Sequence, residues 1–153
     1  FASLSAAYES LSSPMQSFLS ELTAIHDFRF GFKESLAELG GEERLSQMVA
    51  DNPPVEHPVV VKHPESGVKG LYVNALFTQR IKGLASRESQ ELLAFLYEHI
   101  VLPEHTCRFS WEPHSVAFWD NRITQHKPVN DYWPAHRKMQ RITVDNGVRP
   151  TNE

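Results

Sequence analysis

The sequence predicts one mainly β domain with inserted helices, and three observations support this fold class. Short runs with strand character occur at residues 59–61 and, in the second half of the chain, at the alternating apolar residues 107–111. Apolar residues also recur at helical spacing near the beginning of the chain and again before Pro103. At 153 residues, 41% of them hydrophobic, the chain has the size and balance of a single domain. These patterns fit an α+β fold or a β-sandwich decorated by helices.

The beginning of the chain predicts helices followed by a strand. Residues 3–22 carry apolar side chains at helical spacing, and Ser13 precedes Pro14, which indicates a helix start because serine caps helices and proline fits their first turn. Gln16 follows Ser13 by three residues, as in a capping box. The next segment, residues 23–30, is expected to be a strand. A further short helix is predicted to end at Asn52-Pro53-Pro54.

The remaining chain predicts a hairpin, one long helix and more strands. Residues 59–61 and 71–73 flank the turn-forming segment 64–67, which is typical of a β-hairpin. Ser86 is expected to cap a helix that runs to Ile100. Further strands are expected at residues 107–111, 115–119 and 140–144.

Composition narrows the classes of function. The net charge of −4 disfavours a nucleic-acid-binding protein, and no apolar run approaches the roughly 20 residues of a membrane helix. The single cysteine, Cys107, excludes an intrachain disulfide framework and favours a reducing, cytoplasmic setting. Because Cys107 alternates with large apolar residues, we expect it to be a core thiol. Nucleophile elbows, phosphate-binding glycine loops and dinucleotide fingerprints are absent from the sequence.

The densest polar segment lies between Trp119 and Arg141 and contains candidate binding groups. His126 follows a short strand and an Asp-Asn turn, where an imidazole serves as a metal ligand or a general base; the alternative is a surface or core histidine. Arg137 and Arg141 are four residues apart, which places them on one face of a helix or a strand. Two guanidinium groups on one face suit a carboxylate and a sulfonate, sulfate or phosphate. The alternative is a solvated basic strand.

A complete metal site is not visible in the sequence. The motifs His-x-x-x-His, His-Glu-x-x-His and His-x-Asp do not occur. His57 and His63 could share a face of a strand, but each precedes a proline, so structural turns explain both more simply. His26 and Asp27 are adjacent, which puts their side chains on opposite faces of a strand.

Several motifs together carry a family resemblance. In the C-terminal segment they are Trp119-Asp120-Asn121-Arg122, Thr124-Gln125-His126, Asn130-Asp131-Tyr132 and Arg137-x-x-x-Arg141. Upstream they are His26-Asp27-Phe28-Arg29, Asn52-Pro53-Pro54, His57-Pro58-Val59-Val60, His63-Pro64, and Tyr72-Val73-Asn74 with Phe77-Thr78. In order and spacing, these motifs resemble the Fe(II)/2-oxoglutarate-dependent dioxygenases of the taurine and alkylsulfate dioxygenase group. The resemblance spans nearly the whole chain.

The resemblance implies a fold and a set of site residues. The fold would be a double-stranded β-helix, or jelly-roll, that is only partly contained in this chain. Iron would be held by a 2-His-1-carboxylate facial triad, with His126 as its distal histidine. Arg137 would bind the distal carboxylate of 2-oxoglutarate, and Arg141 would bind the sulfonate or sulfate of the substrate. Phe77 and, with a looser match, Phe32 would line the wall along the carbon chain of the substrate.

The resemblance also implies that part of the site lies elsewhere. In the family, the other iron ligands form a His-x-Asp motif before the position of Phe1, and a threonine that helps to bind 2-oxoglutarate lies just ahead of it. We therefore expect residues 1–153 to be the C-terminal part of a single dioxygenase domain. The turn at residues 120–122 is expected to aim His126 rather than to touch substrate.

The activity implied by the family uses Fe(II), 2-oxoglutarate and O₂ to hydroxylate a small anionic organosulfur substrate. The products would be succinate, CO₂, an aldehyde, and sulfite or sulfate. One alternative is an oxygenase of the same fold that acts on another anion, such as an aryloxyacetate or a small carboxylate. A second is a jelly-roll binding module without metal. A dimer or tetramer is expected, with neither nucleic acid nor membrane as a partner.

Overall fold

A computed structural model describes residues 1–144 and 147–152, and small antiparallel sheets alternate with helices along them. The expected combination of strands and inserted helices is confirmed. The helices are α1 (Leu4–Glu9), α2 (Ser13–Ser20), α3 (Phe28–Gly31), α4 (Lys33–Ala37), α5 (Gly41–Asp51) and α6 (Ser86–Ile100), with a 3₁₀ turn at Pro103–His105. The strands are β1 (Ala2–Ser3), β2 (Thr23–His26), β3 (Val55–Pro58), β4 (Val60–Lys62), β5 (Lys69–Leu71), β6 (Thr78–Ile81) and β7 (Thr124–Gln125).

The strands of the described residues form three small sheets, and every pairing is antiparallel. The first sheet joins β1 to β7, which are distant in sequence. The second has the order β3-β2-β6, with β2 in the centre. The third is the β4–β5 hairpin, in which Val60 lies opposite Leu71 and Lys62 lies opposite Lys69. The hairpin predicted from the turn chemistry of residues 64–67 is confirmed.

The core lies where α1 and α6 pack against the sheets. Leu93, Leu96 and Ile100 fall on one face of α6 because their spacing matches the helical repeat, and all three are buried. Fully burying an aliphatic side chain of this size contributes about 1.5–3 kcal/mol. The other large side chains of this core that are almost completely buried are Leu4, Leu19, Val59, Val60, Leu71, Val73 and Ile81. Within the described residues, none of the helices is both long and apolar enough to cross a membrane.

The two helices predicted within residues 3–22 are confirmed, but the predicted capping box is wrong. Ser12, not Ser13, is the residue that precedes α2. The side-chain amide of Gln16 donates to the carbonyl oxygens of Tyr8 at 2.9 Å and Leu11 at 3.1 Å. Gln16 therefore ties α2 to the end of α1 and to the residues that follow it.

Two other boundaries differ from the prediction for a local reason. The strand expected at residues 23–30 stops at His26, the last residue of β2. The Asp27 carboxylate accepts the backbone N–H of Arg29 at 2.8 Å and so caps the start of α3. For α6, Ala85 precedes the helix, and Ser86 is its first residue. The Glu88 carboxylate accepts the Ala85 N–H at 2.9 Å and supplies the cap.

The strands predicted at residues 107–111, 115–119 and 140–144 are wrong for the described part of the chain. A strand needs a partner strand, and none of these segments has one among the described residues. Cys107 exchanges backbone hydrogen bonds with Phe1 beside an isolated bridge of Thr106, and Ser115 closes a local turn with Glu112. Most of their apolar side chains are exposed, Phe118 by 95%, although Trp119 is partly buried. The thiol of Cys107 is exposed as well, so the core position predicted for it is also wrong.

Candidate functional site

His126 directly follows β7 at the end of a folded turn. The Asp120 carboxylate accepts the backbone N–H of Arg122 at 2.9 Å, which closes the turn before β7. β7 then pairs with β1, so that Thr124 lies opposite Ser3. The turn and the strand pairing together fix the backbone that carries His126.

The His126 imidazole lies beside two aromatic rings. The ring centroid of Trp119 is 5.0 Å from it, and that of Phe1 is 6.0 Å from it. The Trp119 indole N–H donates to the side-chain oxygen of Asn121 at 2.8 Å, which holds the indole in place. Partial desolvation, together with the Arg141 guanidinium, lowers the pKa of His126 below its ordinary value. The neutral imidazole that results is the form that binds a metal ion.

Asp120 is a structural carboxylate. Its oxygens accept hydrogen bonds from the Arg122 guanidinium, with Nε at 2.9 Å, and from His63 Nε2 at 3.0 Å. The pKa of Asp120 is held well below its usual range, chiefly by Arg122 and secondarily by His63. Arg122 also reaches Glu65 at 2.9 Å. These contacts are those expected of residues that shape the turn before His126.

The two arginines lie in the segment after His126. Described residues 126–144 contain neither helix nor strand, so the argument that a four-residue spacing puts both arginines on one face does not apply. The Arg137 guanidinium lies over the Tyr132 ring, 5.3 Å from its centroid. Arg141 is exposed and close enough to His126 to lower its pKa. The structure thus brings Arg141 near His126 and places Arg137 beside Tyr132.

Phe32 and Phe77, the predicted wall residues, belong to one aromatic cluster. Their ring centroids are 6.0 Å apart, and Phe28 stacks on Phe32 at 4.5 Å. Asn74 positions Phe77 by accepting its backbone N–H at 2.8 Å. Phe28 is absent from the sequence-based candidates, although the motif His26-Asp27-Phe28-Arg29 was a signal that could have identified it.

The described residues do not include a complete metal site. No group of three His, Cys, Asp or Glu side chains suited to a metal ion occurs within residues 1–144 and 147–152. His57 packs against Tyr72 with ring centroids 5.3 Å apart, whereas His63 bonds to Asp120, so the two histidines do not share a site. His126 could act as one ligand of such a site, because its lowered pKa favours the neutral imidazole, a property that His26 and His57 share.

Comparisons with known proteins identify the family of this chain. A family model described as taurine catabolism dioxygenase TauD, TfdA family, matches residues 1–143. An alkylsulfatase from Acinetobacter baylyi is 38% identical over 151 residues, which are 97% of this chain and 47% of that protein. An alpha-ketoglutarate-dependent sulfate ester dioxygenase from Pseudomonas putida is 35% identical, with 97% of this chain and 50% of that protein covered. This chain therefore spans about half the length of these curated relatives.

Solved structures show the same likeness. A taurine dioxygenase from Burkholderia xenovorans superposes with a TM-score of 0.63 at 39% sequence identity, covering 80% of this chain and 37% of that one. The structure of AAD-2 in complex with Mn(II) and N-oxalylglycine superposes with a TM-score of 0.58 at 28% identity, covering 72% of this chain and 42% of that one. Because the family model covers nearly all of the sequence, the chain belongs to the TauD/TfdA family of taurine catabolism dioxygenases.

Proposed function

We propose that this chain is the C-terminal part of an Fe(II)/2-oxoglutarate-dependent dioxygenase with a jelly-roll fold, acting on a small sulfonate or alkyl sulfate ester. The observation that carries the proposal is the placement of His126 at the end of β7, beside Trp119 and near Arg141. Family membership connects this placement to dioxygenase chemistry. Relatives named as an alkylsulfatase and a sulfate ester dioxygenase support an organosulfur substrate.

His126 would supply one of the three protein ligands of iron. Bound iron would supply the O₂-dependent oxidation of the substrate, coupled to decarboxylation of 2-oxoglutarate. The contribution of this chain is to hold the imidazole neutral and fixed in direction, through the turn at residues 119–122 and the β1–β7 pairing. A preformed ligand direction lowers the cost of organising the site when metal binds.

The arginines would bind the two anions of the reaction. Tyr132 covers one face of the Arg137 guanidinium and leaves its N–H edge for the distal carboxylate of 2-oxoglutarate. Arg141 would bind the sulfonate or sulfate group, which places the substrate near His126. The cluster of Phe28, Phe32 and Phe77 would exclude water along the carbon chain.

Product analysis of the full-length natural protein tests this function. With Fe(II), 2-oxoglutarate and O₂, we expect release of sulfite from alkyl sulfonates or of sulfate from alkyl sulfates, in equal amounts with succinate. An aryloxyacetate or small carboxylate consumed in preference to both would instead establish the alternative substrate class. A protein that binds these anions but produces no succinate would contradict the enzyme proposal.

A further inference from the structure

A polar contact network joins the β4–β5 hairpin to the turn that precedes His126. His63 Nε2 lies 3.0 Å from an oxygen of Asp120, and the Arg122 guanidinium reaches Glu65 at 2.9 Å. The side chain of His63 is only 13% exposed, and that of Asp120 is 33% exposed. Because His63 and Asp120 are 57 residues apart in sequence, their contact is a tertiary link.

The hydrogen bonds around His63 determine which ring nitrogen carries the hydrogen. The backbone N–H of Ser66 donates to Nδ1 at 3.1 Å, so Nδ1 presents a lone pair. The hydrogen is therefore on Nε2, which faces Asp120. A donor that faces an ionised carboxylate forms a charge-assisted hydrogen bond, which is about twice as strong as a neutral one. The hairpin turn thus fixes the orientation of the His63 ring through its Nδ1 atom.

The turn transmits this constraint to His126 through packed neighbours. The carbonyl oxygen of Ile123 accepts the Leu4 N–H at 3.0 Å. The Ile123 side chain lies over Gly70 of β5, where an added Cβ would approach the Ile123 Cδ1 to 2.5 Å. The turn is therefore held between the start of α1 and the hairpin, and a shift of Asp120 displaces the backbone that leads into His126.

We propose that His63 is a positioning residue for His126. The inference rests on the proposed function, which makes His126 an iron ligand. His63 and Arg122 together hold the Asp120 carboxylate, and without His63 the hairpin loses its direct contact with that carboxylate. Groups hydrogen-bonded directly to a metal ligand change metal affinity by about 10–100-fold when they are removed, and His63, which acts through Asp120, is expected at the lower end of that range. A hairpin contact with no positioning role would affect folding stability alone.

Two variants of His63 in the full-length natural protein separate these roles. His63→Leu removes the donor to Asp120, whereas His63→Gln keeps a side-chain N–H that reaches it. His57→Leu is the matched control, because His57 is also half-buried but packs against Tyr72 instead of the turn. The measurements are the Kd for Fe(II) with 2-oxoglutarate present, and the NMR signal of the His126 imidazole in metal-free protein.

We expect His63→Leu to weaken Fe(II) binding about tenfold and to shift the His126 signal. His63→Gln should recover most of the affinity, and His57→Leu should leave both measurements unchanged. A His63→Leu variant with the wild-type Kd and an unshifted His126 signal would overturn the inference. If His63→Leu does not fold, His63→Phe takes its place, because a ring of similar shape fills the position without a donor to Asp120, and it carries the same expectations.

Failure of the proposed function would look different. It would appear as wild-type protein that binds no Fe(II), or as undiminished Fe(II) affinity in His126→Ala. In either case the metal-free NMR comparison still decides whether His63 orients the His126 ring: a shifted signal in His63→Leu supports the positioning role, and an unshifted one overturns it.

Discussion

The rings of Trp119 and His126 pack 5.0 Å apart from opposite ends of one turn and strand. Asn121 fixes the indole by accepting its N–H at 2.8 Å, and Asp120 closes the turn between them by accepting the N–H of Arg122. The segment from Trp119 to His126 is therefore one structural unit. Trp119, at the start of this segment, supports the ring of His126 at its end.

Trp119→Leu should weaken iron binding by removing one side of the support for His126. We expect the Kd for Fe(II) in the full-length protein to rise about tenfold, in the range found for groups that orient metal ligands. Phe118→Leu is the matched control, because Phe118 is adjacent in sequence and 95% exposed. Equal Fe(II) affinities in the two variants would show that the indole does not support the ligand.

Arg141→Ala and Arg137→Ala should each raise the KM for a different substrate. A hydrogen bond to a charged group contributes about 1.5–3 kcal/mol, so each loss corresponds to about 10–100-fold in the KM concerned. Arg141→Ala should raise the KM for the organosulfur substrate and leave substrate-independent turnover of 2-oxoglutarate largely intact. Arg137→Ala should raise the KM for 2-oxoglutarate. The opposite pattern in steady-state kinetics would exchange the two assignments.

Gly70→Ala should destabilise the fold by overpacking. The added Cβ would lie 2.5 Å from the Ile123 Cδ1 and 3.3 Å from Leu4, so the Ile123 side chain must move and the neighbouring Leu4 must give way slightly. Overpacking of this kind costs about 1–3 kcal/mol. Urea unfolding measures the loss, and Gly70→Ala combined with Ile123→Val should recover part of it, because valine lacks the clashing methyl group. A loss in Gly70→Ala that is unchanged in the double variant would point to a different contact.

Acid should destabilise the protein through His26. Burial, together with the neighbouring His57, lowers the pKa of His26 to about 4 from an ordinary value near 6.5, and its Nε2 has no hydrogen-bond partner among the described residues. Between pH 6.5 and pH 4 the His26 imidazole is protonated in the unfolded chain but stays largely neutral in the folded one. The free energy of unfolding therefore decreases as the pH falls through this interval. The loss reaches about 3 kcal/mol at pH 4.

Unfolding free energies of wild type and His26→Leu at pH 7 and pH 4 measure this effect. The wild type should lose about 3 kcal/mol more than the variant over that interval. The exposed His136→Gln serves as the control and should follow the wild type. Identical pH dependence in wild type and His26→Leu would show that His26 is not the group responsible.

The hairpin and the long helix could be predicted from sequence because both depend on local signals. Residues 64–67 have the chemistry of a turn, and Leu93, Leu96 and Ile100 have helical spacing. The strands at 107–111, 115–119 and 140–144 could not, because alternation indicates a strand without indicating its partner.

The candidate site shows the same division. The motif at residues 119–126 identifies a turn that leads to a histidine, and the structure has that turn. The contact between His63 and Asp120 has no local signal, because it joins residues from distant parts of the chain. The prediction that Arg137 and Arg141 share a face required a helix or strand, and neither forms at described residues 126–144.

A titration of Fe(II) into the full-length natural protein tests the central claim most directly. Wild type and His126→Ala are compared with 2-oxoglutarate present, under anaerobic conditions that prevent turnover. We predict that the wild type binds one Fe(II) per chain and that His126→Ala loses this binding, because a facial triad with one ligand missing cannot hold the metal. Fe(II) bound equally tightly by His126→Ala would contradict the account.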